Sequence, residues 1–282
     1  MPGIRRRRRG AAGDAEPGVA AQGAPDRHIP AGLEWFWEKY HDAAGQIVSF
    51  CESCSVSLTG SAIADIGCGE GSMALGLHRR VHPTRLVGFD IKTTDVSELL
   101  QHSAAVGESV ELPAGLEFLR SEPTSVPAGD AEFDFVYSWS AFEHIADPIA
   151  VLREVHRILR PDGCFFLQLW PFYFSAKCSH LWQWFDEDFH HLLADERDLV
   201  AQALADDRQP PEWTQYMTRE FERLNRLTVN ELQRCVLAAG FDVIRIELIS
   251  WPTMLTPELS RYPWTDLAIS GIKLLARAPI AR

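Results

Sequence analysis

A glycine-rich turn between a strand-like run and a helix-like run is the feature that most constrains this fold. The stretch IADIGCGEGSMALGL, residues 63–77, places Gly67, Gly69 and Gly71 in G-x-G-x-G spacing. Glycine suits backbone at positive φ, and a glycine turn that opens a helix presents N–H groups to a bound nucleotide. The segment therefore predicts a nucleotide site at the carboxyl end of a strand.

Strand-like and helix-like segments alternate along most of the chain. The strand-like runs are SAIADIG, TRLVGFD, GLEFLRSE, EFDFVYSWS and CFFLQLW, and the helix-like runs include SMALGLHRRV and DPIAVLREVHRILRPDG. LTVNELQRCVLAAGFDVIRIEL then predicts a helix and a strand, and ISGIKLLARA a last strand. This order predicts an α/β fold, a Rossmann-like and mostly parallel sheet with helices on both faces.

Two regions depart from that alternation. Residues 1–30 contain the arginine run Arg5–Arg9 and a stretch rich in Gly, Ala and Pro, which predicts a disordered N-terminal extension. Residues 31–282 are then one domain. Within it, residues 171–227 are first aromatic and acidic, then polar, and predict a lid insertion over the carboxyl ends of the strands, where open α/β sheets bind ligands.

Charge and composition limit the partners. The net charge is −12, and beyond residue 30 there are 36 acidic against 21 basic residues. Such a body is a poor general partner for the nucleic-acid backbone. No apolar run approaches the ~20 residues of a membrane span, and six cysteines are too few for a disulfide scaffold. We expect a cytoplasmic protein that acts on a small molecule, without a membrane or nucleic-acid partner, and its oligomeric state is left open.

The glycine turn departs from the dinucleotide-binding pattern. Its third glycine comes one residue earlier than in G-x-G-x-x-G, and Asp65 precedes the turn. A carboxylate there would repel a pyrophosphate and favour an ammonium or sulfonium group. Asp90 ends the second strand, where a carboxylate accepts the ribose hydroxyls. These features disfavour NAD and fit a nucleoside with a cationic amino-acid tail, namely S-adenosylmethionine.

From about residue 60 to 170 the chain resembles the class I SAM-dependent methyltransferases of the small-molecule type, with Glu-His after the fourth strand. ADIGCGEG resembles the first motif of that family, GFD the second, FDFVYSWSAFEHIADP the fourth-strand motif, and REVHRILRPDGCFFL the helix and strand that follow. The resemblance implies that S-adenosyl-L-methionine is the cofactor, held by the turn and its acids: Asp65, Gly67, Gly69, Gly71 and Asp90.

Two further side chains are candidates for the cofactor site. Glu122 stands where the family usually has an Asp that contacts the adenine amino group, so the resemblance implies that contact with a changed residue. Trp139 is expected to line the cofactor or substrate cleft, although an aromatic residue at the end of a strand also fits a core position.

Histidines are the candidates for catalysis, because methylation of a hydroxyl requires removal of its proton. His144 follows the fourth strand, and the insertion contributes His180 and His190. On a helix, Asp186 would pair with His190, and Glu187 with His191, at i, i+4 spacing. Such pairs suit a general base or a divalent metal, but a solvated surface helix has the same pattern. We assign no metal ligands.

The predicted function is SAM-dependent O-methylation of a small-molecule or sugar hydroxyl, with secondary metabolites among the expected acceptors. Methylation of nitrogen or carbon is the alternative, because it needs no histidine base. A non-catalytic SAM-binding protein would keep the glycine turn without acceptor chemistry. A nucleic-acid methyltransferase would depend on Arg5–Arg9 to anchor its substrate.

Overall fold

The computed structural model describes residues 29–176 and 180–279 and is built around one seven-stranded sheet. Its strands are β1 Ala62–Ile66, β2 Arg85–Asp90, β3 Leu116–Arg120, β4 Phe133–Trp139, β5 Leu159–Leu169, β6 Asp242–Ser250 and β7 Ile269–Arg277. Their order across the sheet is β3-β2-β1-β4-β5-β7-β6. Every strand that the sequence predicted is present.

One strand of the sheet, β7, runs opposite to the other six. Strands β1 to β5 pair in parallel, and β7 pairs antiparallel with both β5 and β6. The prediction of a mostly parallel sheet is therefore confirmed. The position of β7 was not predicted: it follows β6 in the chain but lies between β5 and β6, which leaves β6 at one edge.

Helices cover both faces of the sheet, as predicted. The α-helices are α1 Glu34–Trp37, α2 Ala44–Glu52, α3 Ser72–Val81, α4 Val96–Ala105, α5 Pro148–Ile158, α6 His190–Leu193, α7 Glu196–Ala205, α8 Pro211–Glu222, α9 Val229–Ala238 and α10 Trp264–Ala268. Because strand side chains alternate between faces, Ile63 packs in one apolar cluster with α2 and α3, whereas Ala64 packs in another with α5 and α9.

The insertion has a small core of its own. Tyr173, Trp184 and Phe189 are buried together with apolar residues of α7 and α8 and with Leu259 and Leu267 near α10. Among the described residues, the aromatic run after β5 thus largely fills the interior of the insertion. Its helices α6, α7 and α8 form the structured part of the segment between β5 and α9.

Some predictions fall outside the described part of the chain. Of the proposed extension at residues 1–30, residues 1–28 lie outside it, and with them Arg5–Arg9. None of the helices within the described ranges has the length and apolarity that a membrane span requires.

Candidate functional site

The three glycines of the turn all have positive φ, but for different reasons. A Cβ on Gly67 would lie 2.5 Å from the Cβ of Ala141, and one on Gly71 would lie 2.6 Å from the ring of Phe118. A Cβ on Gly69, at φ +53°, would meet no heavy atom within 4 Å. Packing therefore demands glycine at the first and third positions, while the middle one faces open space.

Asp90 is held in one orientation by backbone donors. The N–H of Gly69 donates to its Oδ2 at 2.9 Å, and the N–H of Lys92 donates to its Oδ1 at 2.8 Å. The hydroxyl of Thr94 donates to the carbonyl oxygen of Gly69 at 2.9 Å, which ties the same loop to the turn. Each carboxylate oxygen keeps a second lone pair for a ligand hydroxyl.

Asp65 lies beneath the turn with 3% of its surface exposed. The hydroxyl of Tyr137 donates to its Oδ2 at 2.8 Å. The pKa of Asp65 is raised to about 8, chiefly by burial and also by the charges of Asp90 and Glu70, against the hydrogen bond from Tyr137. At that pKa Asp65 is mostly protonated at neutral pH, unlike the carboxylate that we assumed from the sequence, and a positive charge beside it would favour its ionisation.

Glu70 supplies an acid that the sequence reasoning missed. Its Oε1 lies 2.7 Å from Lys39 Nζ and accepts from the hydroxyl of Ser72 at 3.2 Å. Burial alone would raise the pKa of Glu70, but the charge and hydrogen bonds of Lys39 lower it below its ordinary value. Glu70 lies between Gly69 and Gly71, and this position within the glycine motif could have identified it from the sequence. The turn is thus flanked by carboxyl groups and suits a cationic ligand.

Glu122 and Trp139 are less specific. Glu122 is exposed, and its backbone N–H donates to the carbonyl of Ser125. Trp139 is half-buried and stacks on Phe166 with ring centroids 6.1 Å apart, and Lys273 Nζ lies 5.8 Å from its ring centroid. A position in the apolar core explains why Trp139 stacks on Phe166. A cofactor contact for either residue stays a prediction.

Two of the three catalytic candidates meet beyond β4. The short 3₁₀ helix Phe142–His144 carries His144, whose Nε2 lies 3.2 Å from Nε2 of His180. On the other side of the His144 ring, Nδ1 lies 3.5 Å from Oε2 of Glu220. Burial and then the charge of His144 lower the pKa of His180 to about 3. Burial likewise lowers the pKa of His144, against the charge of Glu220.

Asn225 fastens this turn to the end of the insertion. Its side-chain amide donates to the carbonyls of Phe142 at 2.6 Å and Ile145 at 2.8 Å, and its backbone N–H donates to the carbonyl of Glu143 at 2.9 Å. The segment 142–145 is therefore braced from a residue some 80 positions away. No sequence pattern pointed to Asn225, because an isolated asparagine after a helix has many local uses.

The remaining histidines of the insertion serve packing. Helix α6 begins only at His190, after Phe189 in a left-handed conformation, so the helix over residues 186–191 that the predicted i, i+4 pairing required is not present. His190 Nδ1 lies 3.1 Å from the carbonyl of Glu187 and stacks on Phe185, and His191 Nε2 lies 2.7 Å from the carbonyl of Tyr173. Both rings are buried within the insertion.

Helix α8 brings the two halves of the site together. Its residue Glu220 has Oε2 3.5 Å from His144 Nδ1, and the pKa of Tyr216 on the same helix is raised by burial and then by the charges of Glu220, Glu70 and Asp90. Lys92 Nζ is 5.9 Å from the Tyr216 ring centroid. The insertion thus borders the carboxyl end of the sheet, the position at which open α/β sheets bind ligands.

A family comparison decides what this site belongs to. Residues 64–167, from β1 to β5, match the family model described as a methyltransferase domain. The chain has a class I SAM-dependent methyltransferase domain. Its cofactor is S-adenosylmethionine, and the acids around the glycine turn suit that cationic ligand. The family model ends before the insertion, so it carries no information on the acceptor.

Curated relatives match little more than a third of this chain. A phthiotriol/phenolphthiotriol dimycocerosates methyltransferase of Mycobacterium leprae is 33% identical over 38% of this chain and 37% of its own length. A ubiquinone biosynthesis O-methyltransferase of Parvibaculum lavamentivorans is 29% identical over 36% of this chain and 38% of its own length. The match therefore spans well under half of each relative.

The fold of this chain is similar to that of a solved structure. The [4+2]-cyclase SpnF covers 85% of this chain and 82% of its own length with a TM-score of 0.53, at 18% identity. At that identity the likeness concerns the fold alone. Because this neighbour is a cyclase, function must be argued from the residues of the site.

Proposed function

We propose that this methyltransferase transfers a methyl group from S-adenosylmethionine to an oxygen of a small-molecule acceptor. The single observation that carries the choice of oxygen is the His144–His180 contact, with Nε2 atoms 3.2 Å apart, backed by Glu220. A hydroxyl must lose its proton as it attacks, and a positioned imidazole is the usual group for that task. The relative named as an O-methyltransferase supports the same chemistry.

The cofactor end of the site rests on backbone and carboxylates. We propose that Gly67, Gly69 and Gly71 shape the turn, and that Asp90 accepts the ribose hydroxyls with its remaining lone pairs. Asp65, protonated in the empty site, would ionise next to the ammonium group of the amino-acid tail. The bound cofactor supplies an electrophilic methyl group.

The acceptor end rests on His144. Its unprotonated ring, favoured because burial lowers its pKa, would take the acceptor proton. Glu220, 3.5 Å from Nδ1, would then stabilise the imidazolium that forms. Nδ1 faces Glu220 and Nε2 faces His180, so the acceptor hydroxyl would displace His180 to give its proton to Nε2. We leave His190 out of this group, because its contacts lie inside the core of the insertion.

We infer the class of acceptor from the acidic charge of the chain and from the insertion. The methyltransferase body carries an excess of acid, and α8 places the Tyr216 ring 5.9 Å from Lys92 Nζ, next to the Asp90 loop. Neutral or cationic small molecules with a hydroxyl, such as a phenol or a sugar, suit this setting better than phosphorylated ones. Nitrogen or carbon acceptors remain the alternative, since they would not depend on His144.

The test is an assay of the full chain for S-adenosylhomocysteine release with a panel of phenols, sugars and amines. We expect turnover with a hydroxyl acceptor, a methoxy signal in the NMR spectrum of the product, and loss of at least ~100-fold in kcat for His144→Ala, the typical size of a general-base contribution. Cofactor binding by that variant should be unchanged.

Two results would count against the proposal. Methylated amine or carbon products with His144→Ala fully active would favour the alternative acceptor atoms. Tight binding of S-adenosylhomocysteine without turnover on any acceptor of the panel would favour a binding protein. His82→Asn is the matched control, because His82 is exposed and lies in a left-handed conformation that asparagine accepts.

A further inference from the structure

Three potential metal-ligating side chains converge beyond β4. Glu143 and His144 come from the 3₁₀ helix Phe142–His144, and His180 comes from the insertion. One ligand atom of each lies within 4.8 Å of the other two. Two imidazoles and one carboxylate form a donor set that holds zinc and other divalent transition metals in proteins.

The distance between the two imidazoles fits a shared ion. Two nitrogens bound to one tetrahedral zinc at about 2.0–2.1 Å stand about 3.3–3.4 Å apart. The Nε2 atoms of His144 and His180 are 3.2 Å apart. The Glu143 carboxylate has an oxygen within 4.8 Å of both nitrogens and would supply the third ligand.

The surroundings of His144 provide an independent observation. A metal-bound histidine almost always turns its other ring nitrogen to a carboxylate or carbonyl that fixes its orientation. Glu220 Oε2 lies 3.5 Å from Nδ1 of His144, opposite the nitrogen that faces His180. Glu220 therefore occupies the place of the carboxylate in a carboxylate–histidine–metal arrangement.

The turn that carries two of the ligands is braced before any ion arrives. Asn225 donates to the carbonyls of Phe142 and Ile145 and, through its backbone, to that of Glu143. A braced turn holds Glu143 and His144 near their ligating positions, so that less ordering is needed on binding. Asn225 and Glu220 both lie near the end of the insertion.

We propose that Glu143, His144 and His180 bind one divalent transition-metal ion with an open position for the acceptor oxygen. The sequence assigned no metal ligands, and it paired His190 with Asp186 and His191 with Glu187 rather than His180 with His144. The chemical role of the ion rests on the proposed O-methylation, but its binding does not.

In that role the ion would replace the free imidazole as the group that activates the acceptor. Coordination lowers the pKa of a hydroxyl, and the proton leaves to solvent. The oxygen then forms its bond to the methyl carbon as the carbon–sulfur bond breaks, and the electron pair of that bond returns to sulfur. The products are a methyl ether and the thioether S-adenosylhomocysteine, so atoms and charge balance.

The test uses full-length protein without a polyhistidine tag, freed of metal by chelator and dialysis. Titration with Zn²⁺ by calorimetry should give one site per chain with a dissociation constant in the micromolar range or below. Titration with Co²⁺ should give the visible absorption of a low-coordinate nitrogen and oxygen site without a thiolate charge-transfer band. That band would instead assign the ion to cysteine and overturn the proposal.

Variants separate the site from the fold. His180→Ala and Glu143→Gln should each weaken Zn²⁺ binding at least tenfold, and Glu220→Gln should weaken it by about 10–100-fold, as orienting partners do. His82→Asn should leave binding unchanged, and circular dichroism checks that each variant is folded. Wild-type protein without a site, or Glu143→Gln and His180→Ala with wild-type affinity, would overturn the proposal.

The two proposals fail in different ways. If the metal-free protein methylates a hydroxyl acceptor at the full rate and added Zn²⁺ changes nothing, the catalytic role of the ion is wrong and the methyltransferase proposal stands. If the ion binds at this site but no acceptor is methylated, the binding proposal stands and the proposed function is wrong. S-adenosylhomocysteine binding is measured in parallel as the control for an intact cofactor site.

Discussion

At the residue scale, Asp65 couples protonation to cofactor binding. Its pKa is raised to about 8 mainly by burial, with Tyr137 as the donor to its Oδ2. In the empty site a neutral carboxyl costs less than a buried carboxylate. A cation placed beside it reverses that balance, so the arrival of the cofactor tail should expel the proton.

We therefore expect S-adenosylhomocysteine binding at pH 7 to release up to one proton. The affinity should rise with pH up to about 8 and level off above it. Calorimetry in buffers of different ionisation enthalpy measures the proton count. Asp65→Asn should bind more weakly and release no proton, and equal proton release from the variant would contradict this assignment.

We expect alanine at Gly67 to affect mainly stability and alanine at Gly69 to affect mainly cofactor binding. Gly67→Ala should lower thermal stability markedly, because its Cβ would lie 2.5 Å from that of Ala141 at a φ of +80°. Gly69→Ala meets no protein atom within 4 Å and should cost only about 1–2 kcal/mol of backbone strain. It should nevertheless weaken S-adenosylhomocysteine binding more than tenfold, since the methyl group enters the space above the turn.

Thermal melting and calorimetry on the two variants check this prediction. If both variants lose stability equally, or if Gly69→Ala binds the cofactor product as tightly as the wild type, the open face of Gly69 is not where the ligand lies.

At the scale of elements, the end of the insertion braces the turn after β4. Asn225→Ala removes two hydrogen bonds to the carbonyls of Phe142 and Ile145. We expect unfolding free energy to fall by about 1–3 kcal/mol, the cost of leaving such carbonyls unsatisfied. Turnover should fall as well, whereas S-adenosylhomocysteine affinity should change less than twofold.

Asn230→Ala is the matched control, because Asn230 is exposed on α9. Melting temperature, kcat and the cofactor dissociation constant are measured on both variants. A loss of cofactor affinity equal to the loss of turnover in Asn225→Ala would show that the brace acts on the whole site rather than on the acceptor side.

Some elements of the site could be predicted from the sequence, and others could not. The glycine turn, Asp65 and Asp90 were found from the sequence because a strand, a tight turn and a helix are local signals. The contact of His144 with His180 joins residues 36 positions apart, and nothing local encodes it. The helix that would pair Asp186 with His190 is absent for the opposite reason, since a left-handed residue at Phe189 delays the start of α6.

The fold, too, was predictable where the signal is local and not where it depends on long-range pairing. Each strand carried its own apolar signal, so its existence was predicted, although the start of β5 was not. Helix α5 was expected to end in a Pro-Asp-Gly turn, yet that segment is already part of β5, which begins at Leu159. The position of β7 between β5 and β6 depends on long-range pairing, which the pattern of a single strand does not specify.

At the scale of the whole molecule, the buried Asp65 makes stability depend on pH. Its pKa rises from 3.8 in the unfolded chain to about 8 in the folded protein. The folded state thus holds an extra proton between those values, and this contribution is fully present below about pH 4 and lost as pH rises through 8. Other groups titrate over the acidic part of that range, so the comparison with a variant isolates Asp65.

We expect Asp65→Asn without cofactor to gain stability over the wild type as pH is raised from 5 to 8. The difference should reach the order of a few kcal/mol at pH 8, since each unit of pKa shift corresponds to about 1.4 kcal/mol. Denaturant melts at pH 5, 6.5 and 8 measure it. Parallel curves for the two proteins across this range would show that Asp65 is ionised in the empty fold.

The place of β7 has a consequence for synthesis on the ribosome. Strand β5 ends at Leu169, but the neighbour on its outer side, β7, is made only at residues 269–277. Strand β6 emerges earlier and pairs with the same late strand. The chain is made from its N-terminus. Until β7 has been synthesised, the outer edge of β5 and the whole of β6 therefore have no partner strand. Nascent chains stopped before residue 269 present two open edges, which invite association between chains.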